Sequence, residues 1–418
     1  MKSLVQKFGG SSLASVARLR AVADRIASAH RTERPVVVVV SARGRTTDAL
    51  LELAASLNPR SPAREVDQLL STGEFSSAAQ LAMVLDAAGV PAASLTGVQA
   101  GVRVTGPHGG GRIAGIDADR VHRLLCKGFV PVIAGFQGSG DDGDVVTLGR
   151  GGSDTTAVAM AAALEAQRCE IYTDVDGVFT ADPRVVHTAS LLSEVDCVVM
   201  AEMARTGAKV LHARSVELAA ERDVEVHVRN SATETPGTVL VRKGNRAVEN
   251  SGSVVAVTHD EDAVEVTISL RQPDAGSLPE ILELLAGAGI EPDLLARISD
   301  GTSELVRFTV PRGSLRDTRA VLAATGLSSP DAVRVDTDLG TVSLVGGASV
   351  ATHSARLLRA LAGAGIRTTS VCTAPMRVSA LVPRSELNAS VAVLHTAFGL
   401  DEGPVDTRLA TVSETEIR

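Results

Sequence analysis

A chain of 418 residues with 44% hydrophobic and 22% charged residues is globular in composition, and it is long enough for two or three domains. Its net charge of −8 argues against nucleic acid as the main partner. The longest purely apolar run, Ala157 to Leu164, is too short to cross a bilayer, and the start (Lys2, Lys7, then Gly9 and Gly10) does not read as a signal peptide.

The first part alternates β-branched runs with Ala/Leu-rich stretches of helical spacing, the pattern of an α/β fold with a parallel sheet between helices. In chain order the expected strands are Leu4–Phe8, Val36–Ser41, Val130–Ala134, Glu170–Thr173 and Val224–Val228. The expected helices are Ser15–Ala29, Asp48–Ala55, Ser76–Ala88, Asp117–Cys126, Thr155–Leu164 and Ser215–Arg222. An unbroken run such as Val36–Val40 suits a strand covered on both faces. From Thr233 to Gly237 the composition turns loop-like, and Asn245–Ser253 reads as a linker. Beyond it the chain repeats itself: the segment Ile281–Ile290 is echoed by Leu357–Ile366, each after a strand-like run (Ala263–Leu270 and Thr341–Val345). A duplicated strand–helix–strand unit implies two small α+β modules. The four cysteines (Cys126, Cys169, Cys197, Cys372) lack CxxC spacing and read as small buried residues of a reducing compartment, not as a disulfide framework or metal site; a cytoplasmic location is expected.

Five segments carry chemistry. Gln6–Ser12 (QKFGGSS) ends the first strand and opens onto a helix, so its glycines let backbone N–H groups approach an anion while Lys7 reaches a transferring phosphate. It is neither a P-loop nor a Rossmann fingerprint. Lys7 is one of only five lysines against 41 Lys plus Arg, which suits a position that needs a compact ammonium. Thr147–Thr156 (TLGRGGSDTT) is a second glycine cradle; Arg150 offers a fork for a carboxylate or phosphate, and Asp154 either orients Lys7 or organises the metal–nucleotide. Tyr172–Arg184 places Thr173, Asp174 and Asp176 where parallel sheets bind ligands. Lys209 lies at a glycine turn in Thr206–His212, and Glu74, following Gly73, either accepts an ammonium or serves as a helix-start dipole partner. No Ser–His–Asp order stands out. A carboxylate is already nucleophilic at neutral pH, so a kinase acting on one needs alignment and charge neutralisation rather than a general base.

The segments Lys7–Ser12, Ser41–Asp48, Gly73–Glu74, Gln99–Gly101, Ala134–Gly138, Gly149–Asp154, Thr173–Gly177 and Gly207–His212, in this order, resemble those of aspartate kinases, closest to the actinobacterial type. The resemblance spans essentially the whole chain. It implies an amino-acid-kinase domain over 1–248 and two ferredoxin-like ACT domains over 254–330 and 338–412. It also implies ATP with Mg²⁺, and phosphorylation of L-aspartate to 4-phospho-L-aspartate on the way to lysine, threonine, methionine and diaminopimelate. By the same match Lys7 and Asp154 are catalytic, and Ser12, Ser41, Thr47, Glu74, Arg150, Gly151, Gly152 and Ser153 take up aspartate. Gly9, Gly10, Ser11, Thr173, Asp174, Phe179, Arg184 and Lys209, with Lys7, take up the nucleotide. A homodimer through the ACT domains or a higher oligomer is implied, as is an amino-acid effector at those domains, with no metal held by the protein alone.

Departures from the family's pattern are Arg43 and Phe75 on the substrate side. In the first ACT module Ala296-Arg297 replaces an expected Gln-Asn, and Ala275-Gly276-Ser277 an expected Pro-Gly turn. In the second, Arg367-Thr368 replaces Asn-Ile, and the Pro-Gly turn is missing near Ala351–His353. Losing amide hydrogen bonds and gaining a cation beside a cationic effector implies weakened inhibition by lysine and threonine. The competing readings are an acyl kinase for glutamate, N-acetylglutamate or an aspartate analogue, and a non-catalytic amino-acid sensor that would bind without consuming ATP.

Overall fold

Five consecutive valines with no exposed member dictate a strand buried on both faces, and Val36–Val40 occupies that place. The computed structural model describes residues 2–32, 35–242, 253–271, 277–299, 303–327, 329, 331–347 and 350–402. They fall into two compact units: residues 1–178 with 191–246, and residues 179–190 with 247–418. The segment Phe179–Ser190 therefore groups with the second unit, although it lies inside the sequence of the first.

The first unit is built on an eight-stranded sheet in the order Glu194–Asp196, Thr238–Val241, Val226–Asn230, Arg168–Thr173, Leu4–Phe8, Val36–Val40, Val130–Ala134, Ala92–Leu95. Every pairing is parallel except that between Val226–Asn230 and Thr238–Val241. Phe8 is in register with both Val40 and Tyr172, so three adjacent strands end together at their C-terminal edge. Its helices are α1 (Val16–Arg31), α2 (Thr46–Leu57), α3 (Ala63–Ala87), α4 (Asp119–Cys126), α5 (Gly152–Ala163), α6 (Cys197–Arg205) and α7 (Ala213–Arg222). Ser15 caps α1, accepting from the Arg18 amide at 3.2 Å. Leu19, Ile26, Leu81 and Leu85 from α1 and α3 meet Phe8, Val38, Val40 and Val132 in one core. Small residues let α5 be buried on every side from Gly152 to Ala161. A second, four-stranded sheet (Arg112–Ile116, Val102–Thr105, Gln137–Ser139, Val145–Thr147) brings Thr147 to the start of the second glycine cradle.

Four helices begin earlier than their periodicity suggests, α2 and α7 by two residues and α5 and α3 by more. α5 starts at Gly152 rather than Thr155, which places Asp154 in its first turn. α3 starts at Ala63 rather than Ser76 and runs straight through Gly73, so Glu74 lies in mid-helix and cannot be a helix-start dipole partner. Gly73 is not a break because a Cβ there would lie 3.0 Å from the Ala42 Cβ; it permits close packing of α3 on the loop after Val40. Cys126 also departs from expectation, being exposed on short α4; Cys169 and Cys197 are buried.

In the second unit the repeat is present as two four-stranded antiparallel sheets, each with two helices. One has the order Asp293–Ser299, Ser303–Pro311, Ala263–Arg271, Val333–Asp336, with α8 (Ser277–Gly287) and α9 (Leu315–Ala324). The other has the order Val254–Asp260, Leu339–Gly346, Arg377–Pro383, Ser370–Ala374, with α10 (Val350–Gly363) and α11 (Leu387–Ala397). The strand Val254–Asp260 precedes the first repeat in sequence but pairs with Leu339–Gly346 of the second, so the first module is inserted into the second. Ala181 and Val186 of the 179–190 segment enter the same core as Val257, Leu357 and Leu394. The Ala275-Gly276 replacement, residues 403–412 and most of the expected linker lie outside the described residues.

Candidate active site

Lys7 stands one residue before the end of its strand, where its buried stem lies inside the sheet and its ammonium emerges at the C-terminal edge. Nζ lies 2.6 Å from Asp154 Oδ1, both residues being 9% exposed. The first-turn position of Asp154 adds the favourable end of the α5 dipole to that carboxylate. A Cβ on Gly9 would sit 3.6 Å from the Lys7 ammonium, so glycine keeps the space beside it clear. Gly10 has less latitude: a Cβ there would come 2.5 Å from the Ala42 carbonyl. The amide of Gly9 donates to the Tyr172 carbonyl at 3.2 Å, which ties the first glycine loop to the neighbouring strand and leaves that N–H out of any anion cradle.

Around this pair the strand ends gather the other expected positions. Ser12 is buried and donates to Ser231 Oγ at 2.9 Å, while Ser11 opens the short turn Ser11–Leu13. Ser41 follows its strand directly, its amide donating to the Phe8 carbonyl at 3.1 Å, and Thr47 is half-buried in the first turn of α2. Thr173 donates to the exposed Asp174 at 3.0 Å. Glu74 is buried: its Oε1 accepts from the Ala42 amide at 3.0 Å, and its Oε2 has no hydrogen-bond partner among the described residues. Burial pushes its carboxyl up to about 7, against the pull of the Ala42 amide. Arg43 lines an open polar cleft of about 340 Å³ with Thr46, Gly73 and Ser77, its guanidinium donating to Gln80 at 2.7 Å; Phe75 is exposed.

The second cradle is equally constrained. Gly151 has φ +69°, and a Cβ there would lie 2.1 Å from the His212 Cβ. Gly152 and the buried Ser153 begin α5, and Arg150 stands exposed just before them. The contact between Gly151 and His212 brings the segment Gly207–His212 against this cradle, with Lys209 exposed in the turn between α6 and α7. Burial and the Arg214 guanidinium hold His212 below the usual imidazole range. Phe179 and Arg184 belong to the segment grouped with the second unit, where Arg184 pairs with Asp182 at 2.7 Å and holds that carboxyl below its usual range.

Two residues absent from the sequence-based set shape the site. Buried Asp67 accepts from Thr147, His108 and Gly109, and Arg214 donates to the carbonyls of Leu148 and Gly111. Asp67 lies seven residues before Glu74, two turns on one helix face. An expected helix that starts at Ser76 leaves both residues outside it, so that spacing is not visible from the sequence. Among the described residues no group of three His, Cys, Asp or Glu side chains could hold a metal, and no helix is long and apolar enough to cross a membrane.

The profile of the amino acid kinase family matches residues 2–230. The chain is 43% identical over 412 residues to an aspartokinase of Mycolicibacterium smegmatis, covering 96% of this chain and 97% of that one. It is 41% identical over 409 residues to an aspartokinase of Corynebacterium glutamicum, with 96% and 97% covered. Among solved structures, Escherichia coli aspartokinase III in complex with aspartate and ADP (R-state) superimposes with a TM-score of 0.80 at 25% identity, over 95% of this chain and 100% of that one. The T-state of that enzyme, in complex with lysine and aspartate, gives a TM-score of 0.71 over the same shares at 25% identity.

Proposed function

The chain belongs to the amino acid kinase family, among its aspartokinases, and from that premise we infer that it transfers the terminal phosphoryl group of ATP to the side-chain carboxylate of L-aspartate. The products are 4-phospho-L-aspartate and ADP. The observation that carries this reading is the buried Lys7–Asp154 pair at the strand edge, flanked by two glycine cradles and by a buried carboxylate, Glu74, with one oxygen unsatisfied.

The chemistry asks little of proton transfer. An aspartate carboxylate oxygen attacks the terminal phosphorus, the bond to the bridging oxygen breaks, and ADP leaves with that electron pair. Lys7 supplies positive charge where it builds on the transferred group, and Asp154 holds the ammonium at one place so that no reorganisation accompanies the step. Glu74 Oε2 suits the substrate ammonium, and Arg150 suits its α-carboxylate; together they fix both charged ends of the amino acid and leave the side-chain carboxylate to point at the phosphate. Ser12 and Ser41 add hydroxyls beside it. Thr173, Asp174 and Lys209 are suited in type to hold the nucleotide. The exposed Asp174 carboxylate is the kind of hard oxygen donor that suits Mg²⁺ carried in on phosphates, an ion that needs only one or two protein ligands and supplies charge neutralisation when bound.

The repeat in the second unit supports an amino-acid effector module, and a homodimer formed through it. Weakened feedback follows from its side chains. Arg297 donates to both carboxylate oxygens of buried Glu304, at 2.7 and 2.8 Å, at the position where the pattern it resembles has an asparagine.

The test traps the acyl phosphate as a hydroxamate with L-aspartate, glutamate and aspartate analogues. The expected outcome is aspartate-dependent product that falls about 10²- to 10³-fold in kcat in Lys7→Ala. Turnover with another acid alone would replace the substrate, and ligand binding without ATP consumption would replace the enzyme by a sensor.

A further inference from the structure

Arg150 is exposed, yet the backbone leading to it is gripped from two sides by charged residues that have no place in the reaction. On one side the Asp67 carboxylate, 1% exposed, accepts the Thr147 amide at 2.9 Å, the Thr147 hydroxyl at 2.5 Å, the Gly109 amide at 3.0 Å and His108 Nδ1 at 3.0 Å. On the other, Arg214 donates Nη1 to the Leu148 carbonyl at 2.7 Å and Nη2 to the Gly111 carbonyl at 2.9 Å. The Gly111 amide closes the ring by donating to the Thr147 carbonyl at 2.9 Å. An anion holds the amide side of the loop and a cation its carbonyl side, and Arg150 follows two residues later.

The site has a further regularity. Asp67 and Glu74 lie seven residues apart on α3, so one helix face delivers both carboxylates. Glu74 fixes the loop after Val40 through the Ala42 amide, and Asp67 fixes the loop after Val145–Thr147. Leu148 is fully buried and Gly149 is held at φ +72°, where an added Cβ would lie 2.9 Å from the Gly109 carbonyl. The backbone leading to Arg150 therefore has little freedom as long as the clamp is intact.

We propose that Asp67 and Arg214 are positioning residues for substrate recognition: they clamp the Thr147–Gly149 backbone so that Arg150 meets the α-carboxylate of the amino-acid substrate. This rests on the aspartate kinase reading above. The clamp acts through Arg150 and touches neither the nucleotide nor the transferred group, so its loss belongs in KM for aspartate. Asp67→Ala removes both carboxylate oxygens and with them all four hydrogen bonds. Asp67→Asn keeps a carbonyl oxygen for the three N–H donors while the Thr147 hydroxyl turns round to accept.

The experiment measures kcat and both KM values for the full chain and its variants, with L-aspartate and with L-aspartate α-amide, which lacks the α-carboxylate charge. In Asp67→Ala and in Arg214→Ala, KM for aspartate should rise at least 10-fold, with KM for ATP and kcat at saturation within about 3-fold. The preference for aspartate over its α-amide should shrink by a similar factor, and Asp67→Asn should restore most of the loss. Parallel damage to kcat and both KM values, or an unchanged preference between the two substrates, would overturn the clamp in favour of a purely structural role. If Asp67→Ala does not fold, Arg214→Ala decides by the same criteria. Absence of aspartate turnover in the unaltered enzyme would instead remove the proposed reaction, a result distinct from either.

Discussion

Glu74 shows how a single buried side chain couples stability to substrate. Its folded carboxyl titrates near 7 against an ordinary 4.5, because burial disfavours the charge. Between those two values the folded state keeps a proton that the unfolded state has released, so stability falls as pH rises through that window. Above pH 7 the penalty is complete, about 3 kcal/mol at most. Glu74→Gln should therefore raise the Tm of the free enzyme at pH 8 and leave it nearly unchanged at pH 4.5, as thermal unfolding would register. A substrate ammonium reverses the balance, since a nearby opposite charge favours the carboxylate. KM for aspartate in the unaltered enzyme should climb as pH drops below 7, by up to about 10-fold per unit. In Glu74→Gln it should be high and flat. A steep profile surviving in that variant would assign the titration to another group.

At the scale of elements, the beginning of α5 is decided by crowding rather than by capping. No side chain caps it; instead Gly151 adopts φ +69° with His212 pressed against it. Gly89 offers a control, with φ +76° and nothing within 4 Å of an added Cβ. Gly89→Ala should cost about 1 kcal/mol, the price of the backbone conformation alone. Gly151→Ala carries the same strain and must also displace the start of α7, so it should cost at least about 3 kcal/mol and abolish turnover. Urea denaturation of the two variants compares them directly. Equal costs would mean that α7 yields freely and that the contact with His212 does not organise the cradle.

Across the whole molecule, the proposed effector response belongs to the two nested modules of the second unit. Arg297 is engaged by buried Glu304 through Nε and Nη2, so it stands where an amide would and cutting it away leaves a buried carboxylate alone. The enzyme should keep most of its activity with lysine and threonine together at millimolar levels, in the same assay that detects turnover. Arg297→Asn should lower stability without restoring feedback. Synergistic inhibition at sub-millimolar concentrations would contradict the weakened-feedback reading. Sedimentation of the purified chain tests the proposed dimer.

What the amino-acid order determined by itself is local. Lys7 at a strand end before Gly9 and Gly10, the Val36–Val40 strand, the glycine run before α5 and the echoed helices of the repeat are each legible because spacing and residue type act over a few positions. Tertiary structure decided which distant groups meet. Asp67 finds Thr147 eighty residues away, Arg214 finds Gly111, and Val254–Asp260 passes over its neighbouring repeat to join the next one. The segment 179–190 takes its packing from the second unit although its chain neighbours belong to the first. No periodicity records such choices, since a buried carboxylate or an edge strand is satisfied by whichever partner the completed fold places beside it.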